Sequence, residues 1–480
     1  MTEGKILGKM IYFIIPLMLT NLLQTFYNAA DMMVVSLSGI KDAVGAIGTT
    51  GPVVNLIVNL FIGFSTGTGV LVARNIGAKN DKGVSVTVHT SIVVSVIFGI
   101  IGAAVGMIFA RPLLVWMGAD RKLLDLAVTY TFIYFCGVPF LSVTNYATQI
   151  IRAKGDTRTP LVILSLSGAL NVLLNLFFVL VCKLSVEGVA LATAISNVAS
   201  SIALLAVLSR DEGPCRFDFK KLRIDREAFK NILQIGIPAG IQSSLFSISN
   251  IIISSSVLTV NNLLSPAGAS FEPVVNGNAA VANLNSFVYT AANSVYLASI
   301  TFTSQNVGAN KHSRLPRVMV CSYSIAVAIA VSFSLVILAF HKPLLSLYGV
   351  VDGPDGSLEH IAFQTAYTRI MIETLTYFLL ALLEAGSGVM RGLGRNLTTM
   401  LVTLVGTCAL RIVWIYTVFA AHKTVAMIYV SYPISWGITA LFHLTFAVVL
   451  ISRAIKRERQ EAEAAKAMET ADAPLDSVGA

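Results

Sequence analysis

The chain repeatedly presents unbroken apolar stretches of about 20 residues or more, and this feature leaves very few folds open. At about 1.5 Å per residue, a helix of that length crosses the roughly 30 Å of hydrocarbon in a bilayer. Lipid supplies no water to satisfy backbone N–H and C=O groups, so spanning segments must be helices or a closed barrel. A barrel would alternate polar and apolar residues over segments of about ten, and these runs do not alternate. Hydrophobic residues make up 55% of the 480 and charged residues only 12%, about half the share usual in a soluble domain.

Twelve spans are predicted, over residues 10–36, 50–73, 86–110, 122–150, 160–182, 187–208, 229–258, 278–304, 316–340, 360–389, 397–420 and 424–451. The first contains Asp31 and lacks a small-residue cleavage site, so it is expected to stay as a membrane helix rather than be removed as a signal peptide. With the N-terminus placed inside, 25 Lys and Arg residues fall on the inner connections and 7 on the outer ones, leaving Arg369 and Arg411 within helices. Positive loops stay in the cytoplasm, so a cell-membrane protein with both termini inside is expected. The net charge of +9 follows from these loops, and no nucleic-acid module accompanies it, so nucleic acid is not an expected partner. The five cysteines have no metal-like spacing, and neither disulfide nor metal is expected.

The longest inner connection, rich in charge with Gly and Pro, lies at mid-chain. It divides the chain into a bundle over 1–208, a linker over 209–228, a second bundle over 229–452 and a cytoplasmic tail over 453–480. The tail begins RAIKRERQEAEAAKAME, expected as a solvated segment in preference to an interfacial helix, and fades into a disordered end. Six crossings return the chain to its starting face, so the halves form a parallel repeat about an axis near the membrane normal. Three sequence matches support it: FIIPLMLTNLLQ at Pro16 with IGIPAGIQSSLF at Pro238, ARNIGAKN with SQNVGANK, and IRAKGDTRTP with MRGLGRNLTT. Their offsets are 222, 231 and 239, in the same order along both halves.

Function should reside among polar groups in the hydrocarbon, each costing about 2.5–3.5 kcal/mol to place mid-helix when charged. Asp31, Asn175 and Thr193 lie at similar depths below the outer boundary, about 8–11 Å by helical rise. Asn171 is one turn from Asn175, and Tyr27 one turn from Asp31, so carboxylate, amides, hydroxyl and phenol can share one cluster. A carboxylate removed from water holds a proton more readily, and with neutral oxygens beside it can also anchor a small cation. In the second half, Glu384 precedes Arg391 by seven residues, while Glu373 and Arg411 lie at matching depth and are expected to form an ion pair, with Arg369 as another partner for Glu373.

The strings LLQTFYNAADMMVVS, RNIGAKN and IRAKGDTRTP resemble the recurring patterns of multidrug and toxic compound extrusion (MATE) transporters, nearest the bacterial DinF-like branch, and the resemblance covers residues 5–455. It implies an all-α membrane protein of twelve transmembrane helices in two pseudo-symmetric six-helix bundles, the MOP-superfamily fold. It also implies a monomer that exports organic, often cationic, small molecules in exchange for protons or sodium by alternating access. Asp31, Asn171, Asn175 and Thr193 match that family's polar site in the first bundle, and Pro16 matches a first-helix proline associated with bending. Some archaeal relatives carry an acid at the Asn175 position, which leaves Asp31 the only acid of the site here.

Sodium-coupled relatives of the NorM branch use acids on the seventh and tenth helices; the seventh helix of this chain has none, so proton coupling through Asp31 is the expected mechanism. Phe26, Tyr27, Met32, Met33, Phe140, Tyr146, Phe287 and Tyr289 offer aromatic or pliable surface to a flat cation. Two other functions compete. A lipid-linked oligosaccharide flippase would need a cationic cavity, for which only Arg411 and Arg369 are available. A membrane enzyme would need a paired-acid or His cluster, whereas His89, His312, His341, His360, His422 and His443 are dispersed.

Overall fold

The computed structural model describes residues 1–37, 41–116, 121–265 and 271–471, and every regular element among them is helical. Twelve long passes follow one another. In the first half these are α1 (Ile6–Leu37), α2 (Lys41–Gly77), α3 (Asp81–Trp116), α4 (Arg121–Lys154), α5 (Arg158–Val181) and α6 (Val186–Ser209). In the second they are α7 (Arg226–Leu264), α8 (Pro273–Gly308), α9 (Leu315–Ala339), α10 (Leu358–Thr374 with Tyr377–Gly392), α11 (Asn396–Phe419) and α12 (Val425–Ala471).

Eleven of the twelve are long and apolar enough to cross a membrane, α10 counting as one span bent by 45°. The exception is α8, which the sequence predicts as an apolar span over 278–304. The helix forms, but its interior carries Asn285, Ser294, Ser299, Thr303, Ser304, Gln305 and Asn306, all buried. Ser294, Ser299 and Asn306 return their donors to the carbonyls of Thr290, Val295 and Phe302 one turn back. Asn285 and Gln305 donate to other helices, to Glu373 and to the Ala153 carbonyl, and α1, α2, α7, α9 and α10 pack around α8, so the polar helix is held inside the protein.

In the tail, the helical alternative holds through Ala471. Helix α12 continues without a break through Ala471, and Glu458 accepts a bond of 3.1 Å from the Ser313 amide. The stretch RAIKRERQEAEAAKAME consists almost wholly of strong helix formers, which extend a helix already nucleated in the membrane. Residues 472–480 lie outside the described ones.

In the first half α4 packs against α2, α3 and α6; in the second, α8 and α10 form the centre. The halves meet where α2 crosses α7 and α8 and where α1 crosses α8. At the α2–α7 crossing Gly63 and Gly67 meet Gly236 and Gly240, and a methyl added to Gly63 would stand 2.3 Å from the Gly240 Cα. Paired small-xxx-small spacing lets two backbones touch, which is how membrane helices gain close packing without a hydrophobic drive. The N-terminal part of α1 leaves its own bundle: Met10, Phe13, Ile14 and Leu17 share a core with Val295, Ala298 and Phe302 of α8. The mid-chain connection docks on α3, where the Asp218 amide donates to His89 Nε2 at 3.1 Å and the Asp225 amide to Thr90 Oγ1 at 3.1 Å.

Candidate functional site

Helices α1, α5 and α6 converge on Asp31. The Asn175 amide nitrogen donates to Asp31 Oδ1 at 2.5 Å and lies 3.3 Å from Asn171 Oδ1; the Asn171 amide in turn donates to Thr193 Oγ1 at 3.3 Å. Turned over, the Asn171 amide donates directly to both Asp31 oxygens, at 2.7 and 3.3 Å, while its oxygen accepts from the Thr193 backbone amide. A carboxylate facing two amides favours the turned arrangement, since it leaves fewer acceptors opposed. Asn175 is fully buried, Asn171 nearly so, and Asn175 Oδ1 has no partner among the described residues. Thr193 Oγ1 is anchored to the Val189 carbonyl at 3.0 Å. A π-helical turn, Phe177–Val181, begins two residues after Asn175, and such wide turns occur frequently at functional sites.

Tyr27 does not join the cluster. Its hydroxyl donates to the Ser165 carbonyl at 3.1 Å, and its ring lies so close to α5 that a methyl at Gly168 would stand 2.1 Å from it. It braces α1 against α5 one turn from the acid. Pro16 is buried within an unbroken α1, its carbonyl accepting from Thr20 Oγ1 at 2.7 Å.

The second half holds a closed network. Glu373 pairs with Arg369, not with Arg411: Arg369 Nε lies 2.7 Å and Nη2 3.3 Å from the two carboxylate oxygens. Arg369 Nη1 donates to Asn278 Oδ1 at 2.6 Å, and Asn285 donates to Glu373 at 2.8 Å. The expected pair fails because Arg369 stands one turn from Glu373 on the same helix, and Arg411 is held by Ser435 Oγ at 2.8 Å over the ring of Tyr432. Asn278, Asn285 and Tyr429, the last bonding to Asn278 at 2.9 Å, complete a site that sequence depth alone does not reveal. Glu384 has no ion-pair partner within 4.0 Å among the described residues; it lies near Tyr289, Tyr296 and Arg391, and Arg391 donates instead to Gln242 at 2.7 Å.

Of the aromatic candidates, Phe26 and Phe287 meet across the two halves with ring centroids 5.3 Å apart, while Tyr146 is fully buried. The side chain of Met32 lies outside the described residues.

A family model described as MatE matches residues 16–177 and 244–417. The chain belongs to the MatE family. The first matched block of this MatE protein begins at Pro16 and contains Asp31, Asn171 and Asn175; the second contains Glu373, Glu384 and Arg411. It is 28% identical over 444 residues to "Probable multidrug resistance protein YoeA" of Bacillus subtilis, covering 90% of this chain and 91% of that one. It is 24% identical to "Multidrug export protein MepA" of Staphylococcus haemolyticus, covering 83% and 84% of the two chains. Its fold matches a solved outward-facing structure of a multidrug resistance MATE family transporter of the MOP superfamily at a TM-score of 0.84 with 21% identity, over 94% of this chain and 97% of that one. A MOP superfamily transporter from Pyrococcus furiosus matches at 0.85 with 21% identity, over 94% and 97%.

Proposed function

We propose that this MatE protein exports organic, cationic small molecules across the cell membrane in exchange for protons, with Asp31 as the coupling acid. The observation that carries this reading is a largely buried carboxylate whose protein partners are amides, with no cationic side chain paired to it among the described residues. Such a site has one negative charge to neutralise, and a proton or a positively charged substrate can each do so in turn. Asn175 Oδ1, buried without a donor among the described residues, supplies an acceptor that a protonated carboxyl could use. Alternating access between the two bundles, a bend of α1 at Pro16, a monomer and cytoplasmic termini belong to the same reading. The multidrug names of YoeA and MepA support the substrate class. A flippase is less well supported, because Arg369 and Arg411 are buried and engaged by protein groups rather than offered to a pyrophosphate.

The test is substrate transport in proteoliposomes under a pH gradient or a sodium gradient imposed separately, with Asp31→Asn beside the parent. The pH gradient alone should drive the parent, and Asp31→Asn should lose most of that flux, as expected of an essential proton carrier. Full pH-driven flux in Asp31→Asn would remove Asp31 from the mechanism, and drive by sodium alone would replace the proton.

A further inference from the structure

The two repeated loops end α2 and α8 with the same turn. The amides of Ala78, Lys79 and Asn80 donate to the carbonyls of Arg74, Ile76 and Asn75 at 3.0, 3.1 and 3.0 Å; those of Ala309, Asn310 and Lys311 donate to Gln305, Val307 and Asn306 at 3.0, 3.1 and 2.9 Å. Lys79 and Asn310 both take left-handed backbone, with φ of 54° and 53°. The ends of α4 and α10 repeat in the same way around Gly155 and Gly394, with φ of 107° and 85°.

Across the seam each copy touches the other reciprocally. Arg74 Nη2 donates to the Gly392 carbonyl at the end of α10, at 3.4 Å, and Gln305 Nε2 donates to the Ala153 carbonyl at the end of α4, at 2.8 Å. Arg74 and Gln305 are equivalent in the repeat at an offset of 231, and Ala153 and Gly392 at 239. The last carbonyls of a helix lack intrahelical donors and sit at the negative end of its dipole, so each is a ready acceptor for a side chain from the other half. The tips also nest: a methyl on Gly77 would stand 2.0 Å from the Gln305 carbonyl oxygen, and one on Gly308 2.0 Å from the Arg74 carbonyl oxygen.

We propose that Arg74 and Gln305 form a two-part latch that holds the transporter shut at the face bearing its termini, and that its release lets the halves part there. The inference rests on the alternating-access reading above. Two properties suit a latch. Both bonds run between halves rather than within one, so a rigid-body separation breaks them together. Each is a single hydrogen bond to a carbonyl, small enough to be broken and remade in every cycle.

The experiment uses the full chain in a cysteine-free background with Thr66→Cys as reporter. Thr66 is buried in the α2–α8 seam against Tyr296, eleven residues and so about 16 Å along α2 from Gly77. A membrane-impermeant thiol reagent is applied from the face bearing the termini. Arg74→Ala and Gln305→Ala should each raise the labelling rate about fivefold, the population shift expected from losing one hydrogen bond. The exchange Arg74→Gln with Gln305→Arg should return it towards the parental rate, because the two acceptors are equivalent. Parental labelling in both single variants, inserted at parental levels, would overturn the latch, as would an exchange that labels as fast as the singles. If Arg74→Ala does not accumulate, Gln305→Ala and the exchange decide. Labelling needs no substrate or gradient, so its failure is distinct from failure of the transport reading.

Discussion

Removing the Arg369 guanidinium would leave Glu373 in a buried site with one amide donor from Asn285 in place of a bidentate cation. A buried charge stripped of its partner costs about 3–5 kcal/mol, whereas replacing both partners costs far less. Arg369→Ala should therefore lower the thermal midpoint in detergent markedly, and Arg369→Met with Glu373→Met should recover most of it; equal midpoints for the two variants would show that the pair bears no such load. The contrast with Asp31 is instructive. Asp31, Asn171, Asn175 and Thr193 were readable from sequence because polar residues stand out in an apolar run and helical rise gives their depth. Depth could not separate Arg369 from Arg411, since both reach the level of Glu373; the one-turn spacing within a helix decided it. Nor could it show that Tyr27 bonds a backbone carbonyl of another helix, because any residue type supplies that acceptor.

At the scale of helices, the glycines at the α2–α7 crossing set how near the two halves stand. Gly63→Val would force its side chain against the Gly240 backbone, which has no rotamer to yield. Overpacking of this kind costs about 1–3 kcal/mol. The expected outcome is a lower midpoint together with slower crosslinking between cysteines placed across the crossing; unchanged crosslinking would mean that the backbones do not touch there. The existence of the other eleven helices was legible in the run lengths, α8 being too polar for that test; helix ends were not legible, because helices continue past the hydrocarbon: α2 begins at Lys41 and α12 ends at Ala471. The π-helical turns at Ile370–Thr374, Leu404–Ala409 and Ile415–Phe419, which hold Glu373 and flank Arg411, left no mark in the sequence. They widen a helix by one residue without needing a special residue type.

For the whole molecule, the repeat was visible in three short strings, and the structure places two of them in one contact between the halves. Two of the three form the reciprocal seam, where both copies must fit the same partner. The two halves differ in their interiors: an acid facing amides in one; an arginine–glutamate pair, Glu384, Arg391 and Arg411 in the other. Orientation can be checked directly. A cysteine at Lys79 should react with an impermeant reagent only from the cytoplasmic side, and one at Lys183 only from outside; the reverse pattern would invert the topology and with it the direction of transport.

The polar character of α8 has a consequence for biogenesis. A helix with so many amides and hydroxyls gains little by leaving the translocation channel for lipid on its own. Its shelter is built by α1 and α2, made long before it, and by α9 and α10, made after it. The expected order of synthesis is that α8 stays beside the finished α1 and α2 until its later neighbours are made. A second half expressed alone should therefore insert less completely than in the full chain, and equal glycan-mapped insertion of both would show that α8 needs no such shelter.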